Sequence, residues 1–235
     1  MAGQRPPTLT RPSGDRLAGM SITDDFYSLL STTRSIRRID TTPIDPQMLD
    51  RVCQAALWAP SGGNRQPWRI ILVSDIALKE DISSLYADEW ARYVDFNIAR
   101  LGDQPEEVLA KARLQFGTGT ALAENLAQVP VVAFFVHDPA ALYVTDAGFG
   151  RHPVVGGASL YPAVQNFLLA ARAEGLGGVL TTLICSRENE LRSLLGFPDG
   201  WGVHAMVPLG HPKGKHGPLR RAPLTDMVHR DTWKQ

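Results

Sequence analysis

Four clusters along the chain have residue types and spacings suited to chemistry. Arg34, Ser35, Ile36, Arg37 and Arg38 place three guanidiniums and a hydroxyl in one short run. Each arginine offers a planar fork of donors that matches a phosphate or carboxylate. The same run is also what a solvated basic turn looks like. The second cluster, Ala59-Pro60-Ser61-Gly62-Gly63-Asn64-Arg65-Gln66-Pro67-Trp68, has glycines that let backbone approach a flat ligand. Its Ser61, Asn64 and Gln66 carry donors and acceptors able to read the polar edge of a heterocycle, though a helix-ending turn is the other reading. The third runs from Ala173 through Gly175-Leu176-Gly177-Gly178 to Leu180, Thr181 and Thr182. It follows a helix and opens a strand, the reverse of a dinucleotide fingerprint, and suits backbone N–H groups laid along a ligand plane. The fourth, Lys213, Lys215, His216, Arg220 and Arg221, would suit a phosphate or form a solvated basic tail.

Other reactive residue types are less organised. Six histidines (137, 152, 204, 211, 216 and 229) show no metal-ligand spacing with nearby acids, so no metal site is expected. Cys53 and Cys185 form no CxxC and have no His/Asp constellation, which argues against both a zinc module and a thiol nucleophile. Tyr86, Trp90, Tyr93 and Asn97 recur at helical spacing, a pattern that packs a core or lines a pocket. Phe149, Arg151 and His152 lie in a Gly/Pro-rich stretch with the same two options.

Positioning these clusters requires alternating helices and strands. A short helix follows Asp24 and Asp25, and a second opens at Asp45-Pro46 with Leu49, Val52, Cys53 and Ala56 as its apolar stripe. Trp68–Val73 and 131–136 are near-continuous apolar runs that predict buried strands, and 178–184 and 201–209 predict two more. Residues 76–126 are helical in pattern, interrupted at 102–105 and weakened at 117–119. Helices are expected over 158–174 and over 186–195, the latter capped by Ser186. Four strands among longer helices predict an α+β sandwich around one sheet. Residues 1–22, rich in Pro, Gly and Arg, read as a flexible tail ahead of one domain over 23–235.

Composition narrows the function classes. The chain has 235 residues, and 24 Lys+Arg balance 24 Asp+Glu, so no global field favours nucleic acid or anionic membrane. The longest strongly apolar stretch, 129–136, falls far short of the ~20 residues that span a bilayer. A cytoplasmic protein acting on small molecules is the expectation.

In order along the chain, T-R-S-I-R-R, A-P-S-G-G-N-R-Q-P-W, Y-P-A-V-Q-N, A-A-R-A-E-G-L-G-G and L-R-R-A-P-L-T-D-M-V-H together resemble the FMN-dependent nitroreductase family over roughly residues 23–235. The resemblance implies an α+β fold with a central mixed sheet flanked by helices, in a homodimer with C-terminal arm exchange and with helix 158–173 (Tyr161, Val164, Phe167, Leu168) in its interface. It implies FMN as cofactor, gripped by Arg34, Ser35, Arg37 and Arg38, with Arg220 and Arg221 closing the phosphate pocket. Pro60, Ser61, Gly62, Asn64 and Gln66 would reach the flavin of the partner subunit. Leu180, Thr181 and Thr182 would lie along the ring, with a backbone N–H near Thr182 or Leu183 at N5. Tyr86, Trp90, Tyr93 and Phe149 would shape the substrate pocket. Thr182 and Leu183 depart from the acid and glycine found in many relatives, and residues 110–125 offer no match to a polar pair that many relatives supply. The implied activity is hydride transfer from NAD(P)H, with NADPH slightly ahead of NADH, to nitroaromatic or quinone acceptors by ping-pong kinetics. The alternatives are flavin fragmentation to a benzimidazole, reductive dehalogenation, or flavin binding without catalysis.

Overall fold

The computed structural model describes residues 22–214, 216 and 219–233. The tail expected over residues 1–22 lies almost wholly outside them, as does Lys215. Helix α1 is Ile22–Thr32, and α2, Pro46–Leu57, begins with Pro46 in its first turn and the Asp45 carboxylate accepting from Gln47 N. Strand β1 is Trp68–Val73, followed by the antiparallel helices α3, Ile76–Ala99, and α4, Glu106–Glu124. Strand β2 is Val131–His137, α5 is Tyr161–Ala173, β3 is Gly177–Gly178, α6 is Glu188–Leu195, β4 is Gly202–Gly210 and α7 is Leu224–Met227.

The strands form one sheet in the order β1-β2-β4-β3. Every pairing among the described strands is antiparallel, whereas the expected mixed sheet requires a parallel pair that these strands do not supply. Central strands β2 and β4 are buried almost throughout. Strand β1 corrects the expectation of a buried strand: it pairs on one side only, so Arg69 and Leu72 face solvent. One face of the sheet carries α2 and α5 over a core that includes Val52, Ala56, Ala163, Val164 and Phe167. The other carries α3 and α4 over a core that includes Ile82, Tyr86, Leu122, Phe134 and Met206.

Three local expectations are corrected. The strand over 178–184 shrinks to Gly177–Gly178 plus an isolated bridge from Thr181 to Met206, and the chain then turns into a 3-10 helix at Leu183–Arg187. Because that turn holds the Ser186 hydroxyl on Leu183 O at 2.9 Å, Ser186 does not cap α6, which starts at Glu188. Helix α4 runs unbroken through Gly117 and Gly119, since Trp90 packs where a side chain at 119 would stand.

Candidate active site

The arginine run is fastened to the sheet edge. Ile36 N donates to Gly178 O at 2.9 Å, Asp40 N to His211 O at 2.7 Å and Lys213 N to Arg38 O at 2.8 Å. Ile36 is buried, and a Cβ on Gly177 would come within 2.7 Å of its Cγ1, while one on Gly178 would stand 2.7 Å from Pro208 O. These glycines therefore permit close packing of the run and of β4. Both glycines also line the cavity beside Arg34.

With Ile36 pinned inward, Arg34 and Arg37 line two cavities. Arg34 lines a cavity of about 380 Å³ with Thr32, Thr33, Arg172, His216 and the glycines of β3. Arg37 lines one of about 480 Å³ whose wall continues along Val179, Leu180, Thr181, Thr182 and Leu183. Its remaining wall is Tyr86, Trp90 and Tyr93 from α3 and Gln115, Phe116 and Thr118 from α4. The structure thus brings Arg37, the 180–183 segment and three of the four expected pocket aromatics into one site.

Several of its groups are held. The amides and carbonyls of Thr181 and Met206 exchange two hydrogen bonds of 2.9 Å. That commits the Thr181 N–H, whereas the next amide, Thr182, has no acceptor among the described residues. The Tyr86 hydroxyl donates to Thr181 Oγ1 at 3.4 Å. Burial raises the pKa of that phenol, with the Thr181 hydrogen bond and the Arg37 charge acting weakly against it, so it stays protonated at neutral pH. Trp90 Nε1 donates to Thr120 Oγ1 at 3.0 Å, and the indole packs against Tyr93 and Phe116 with ring centroids 5.6 and 6.3 Å away. Arg187 clamps the turn after Leu183 to α3 through Glu89 at 2.6 Å. Burial acts to raise the pKa of Glu89, but hydrogen bonds from Arg187 and Ser186 leave it lowered and ionised.

Residues 60–66 form a separate feature. Gly63, Asn64 and Gln66 all have left-handed backbone, with φ of 60°, 53° and 47°, and glutamine rarely adopts this conformation. The Ser61 hydroxyl accepts from Gln66 N and the Ser159 hydroxyl from Gly62 N, both at 3.0 Å. Gln66 Nε2 donates to Asn64 Oδ1 at 3.2 Å. Pro60, Ser61 and Gly62 line their own cavity with Tyr143 and Val155, and Gln66 lines another with Cys53, so neither joins the Arg37 site within one protomer.

The remaining expected residues lie apart. Ser35 is exposed, and Arg38 extends toward Gly214. Arg220 and Arg221 are exposed and line neither arginine cavity, with Arg221 donating to Arg220 O at 2.8 Å. Phe149 is 65% exposed beneath the Arg151 guanidinium. Burial pushes both cysteine thiols up to about 11, which keeps them protonated. Among the described residues no group of His, Cys, Asp and Glu could hold a metal ion, and no helix is long and apolar enough to cross a membrane.

Sequence reasoning missed Gln115, Phe116, Thr118 and Arg172. The signal that could have found the α4 residues is Gly119, a helix-interior glycine four residues before Ala123, on the helix face turned to the core. Also missed was Asp146, a buried carboxylate that accepts from Val154 N at 2.8 Å and Arg151 at 2.7 Å and ties down the 146–155 loop. Chemically, the arginine cavities combine cations, hydroxyls and flat aromatic walls. The cation-lined cavity suits an anionic group and the aromatic-walled one a planar ring, and among the described residues lining them there is no paired acid and base or activated nucleophile.

Comparison with known proteins gives this arrangement a family. The chain is 30% identical to a 5,6-dimethylbenzimidazole synthase of Rhodobacter capsulatus, a match covering 90% of this chain and 92% of the relative. It is 28% identical to a putative NADH dehydrogenase/NAD(P)H nitroreductase of Archaeoglobus fulgidus, covering 89% and 99%. It is 30% identical to iodotyrosine deiodinase 1 of Rattus norvegicus, covering 80% of this chain and 62% of that protein. Among solved structures, the NADPH:FMN oxidoreductase of Vibrio harveyi in complex with NAD+ shares the fold at a TM-score of 0.63 and 21% identity, covering 89% of this chain and 78% of its own. The sequence profile of the Nitroreductase family matches residues 30–211, and the chain belongs to that family.

Proposed function

We propose that the protein is an FMN-dependent oxidoreductase that passes electrons from NAD(P)H to nitroaromatic or quinone acceptors. The observation that carries this reading is the single cavity in which Arg37 and the 180–183 segment face the aromatics of α3 and α4. Arg34, with Arg172 and His216 beside it, suits the phosphate end of the cofactor, and Arg37 the polar edge of its ring system. When bound, FMN would supply the two-electron redox chemistry, taking hydride from NAD(P)H and delivering electrons to the acceptor. The Thr182 amide, next to the committed Thr181 amide, would polarise the flavin from a fixed position. Tyr86, Trp90 and Phe116 wall this cavity, and Trp90 and Phe116 would offer aromatic surface to nicotinamide and acceptor in turn. Acceptor protons come from solvent, so no side chain acts as an indispensable acid.

The active unit is a homodimer on this reading. Phe26 and Tyr27 of α1, Tyr143, Tyr161, and Leu224, Met227 and Trp233 of the C-terminal arm are all exposed in the protomer. Val164 and Phe167 correct the expected interface, because both are fully spent in the protomer's own core. On this reading the braced 60–66 loop, apart from the Arg37 cavity of its own chain, would serve a partner's site, and the exposed Arg220 and Arg221 would arrive by arm exchange.

The 30% identity to the benzimidazole synthase over nearly the whole chain favours one second reading, flavin fragmentation. One preparation tests both. A yellow protein that releases FMN on denaturation, is bleached by NAD(P)H, and gives parallel double-reciprocal lines with a nitrobenzene or a quinone supports reductase activity. Turnover only as oxygen-driven breakdown of reduced flavin transfers the assignment to the second reading.

A further inference from the structure

Helix α4 carries two interior glycines two residues apart, and only one has a packing reason. A Cβ on Gly117 would meet nothing within 4 Å. A Cβ on Gly119 would overlap Cη2 and Cζ2 of Trp90 and stand 3.0 Å from Cζ3. The far edge of the Trp90 indole therefore lies in a notch cut into α4. Its near edge is tied to the next residue, Nε1 donating to Thr120 Oγ1 at 3.0 Å, and that hydroxyl donates onward to Phe116 O at 3.2 Å. Two adjacent residues of one helix so fix both the depth and the rotation of an aromatic whose other surface walls the Arg37 cavity. Tyr86, Tyr93 and Phe116 bracket the ring, with centroids 5.6 to 6.5 Å away. A displaced indole has open space to enter on the cavity side.

We infer that Gly119 is a specificity-determining position: by admitting the Trp90 indole into α4 it keeps the cavity open to extended, multi-ring acceptors. Gly119 lines none of the four cavities described above, and the atoms nearest a Cβ built on it all belong to Trp90, so it acts through Trp90. The inference rests on the reading of this cavity as the acceptor site.

The test compares 1,4-benzoquinone with anthraquinone-2-sulfonate, using NADPH and the flavin-loaded enzyme, with flavin content and calorimetric Kd for each quinone measured alongside. Gly119→Ala should retain flavin and stay within about twofold of wild type on the one-ring quinone. It should lose tenfold or more in kcat/KM, and a similar factor in Kd, on the three-ring quinone. Adding Trp90→Phe to Gly119→Ala withdraws the overlapping atoms and should recover most of the loss. Equal losses on both quinones, or no recovery in the double variant, overturn the inference. Should Gly119→Ala fail to fold, Trp90→Phe alone decides it: the ratio of three-ring to one-ring kcat/KM should rise severalfold, and an unchanged ratio overturns the inference. A wild-type protein without flavin or quinone turnover would instead overturn the functional reading, while the Kd ratios still decide the notch.

Discussion

The two faces of the sheet bury similar numbers of apolar side chains and yet differ in what they leave open. Under α2 and α5 the core includes Ala56, Ala59, Ala133, Ala163, Ala171 and Ala205. Small side chains let both helices settle close to the strands, and the bidentate pair of Arg51 with Glu174, at 2.8 and 2.7 Å, ties the middle of α2 to the C-terminal end of α5. Under α3 and α4 the core has one such alanine, Ala123, and the helices are propped on Tyr86, Trp90 and Phe116. Tyr86 and Trp90 meet at a tilt and Trp90 meets Phe116 edge to face, and these rings wall the Arg37 cavity. The alanine-packed face, closed except where the Arg34 and Cys53 cavities border it, and the open face, where large rings wall the Arg37 cavity, show how one sheet can be packed differently on its two sides.

The largest expected effect tests that contrast directly. Phe167 is fully buried on the closed face, edge to face with Phe135 at 5.4 Å, and Phe167→Ala should cost ~3–5 kcal/mol by denaturant unfolding. Trp90→Ala, on the open face, removes a larger ring that is only partly buried and walls the cavity. It should cost less than half as much while changing acceptor kinetics. Equal losses of stability would mean that both faces are packed alike.

The next effect falls on the open face alone. Arg37→Ala removes a charge-assisted contact worth ~1.5–3 kcal/mol, about tenfold to a hundredfold in FMN affinity. Stability of the flavin-free protein should hardly change, because the position is only half-buried and the run is fastened through its backbone. Full flavin occupancy of the variant after dialysis would remove Arg37 from the site.

The legible parts of this molecule are those fixed by local pattern. The Asp45-Pro46 helix start and the bounds of β1 follow from capping chemistry and from one apolar run. The RSIRR run proved worth naming because its alternation sends Ile36 into the core and Arg37 into a cavity. Long-range facts were hidden. Nothing local shows that Thr181 would bridge to Met206 and leave the neighbouring amide without an acceptor, or that β1 would be an edge. Gly117 and Gly119 look alike in sequence, and only the approach of Trp90 from another helix separates them. The spread of Ser61, Gln66, Arg34 and Arg37 over four cavities is likewise a property of the fold, since each motif taken alone suits the same ligand.

The smallest effect per unit change is also the one that most sharpens the contrast, because it belongs to the closed face. His204 is 5% exposed against Phe135 and Tyr161, its Nδ1 lies 3.3 Å from Nδ1 of His137, and its Nε2 has no hydrogen-bond partner among the described residues. Two imidazole nitrogens at that distance share one proton in a hydrogen bond, and a second charge there has nowhere to be solvated. Burial, reinforced by His137, holds the pKa of His204 down at about 3. Burial also lowers that of His137, with Glu188, the Gly202 backbone and Asp138 opposing it. The unfolded chain takes up a proton near the ordinary histidine value of ~6.5, so below that pH it binds more protons than the folded chain. The stability contributed by keeping His204 neutral is complete above pH ~6.5. It should fall by up to about 1.4 kcal/mol per pH unit as the pH drops toward 3. Denaturant unfolding at pH 7.5, 6.5, 5.5 and 4.5 would give this slope, and His204→Phe should flatten it. A slope unchanged in His204→Phe would mean that the closed face admits water beside His204 after all.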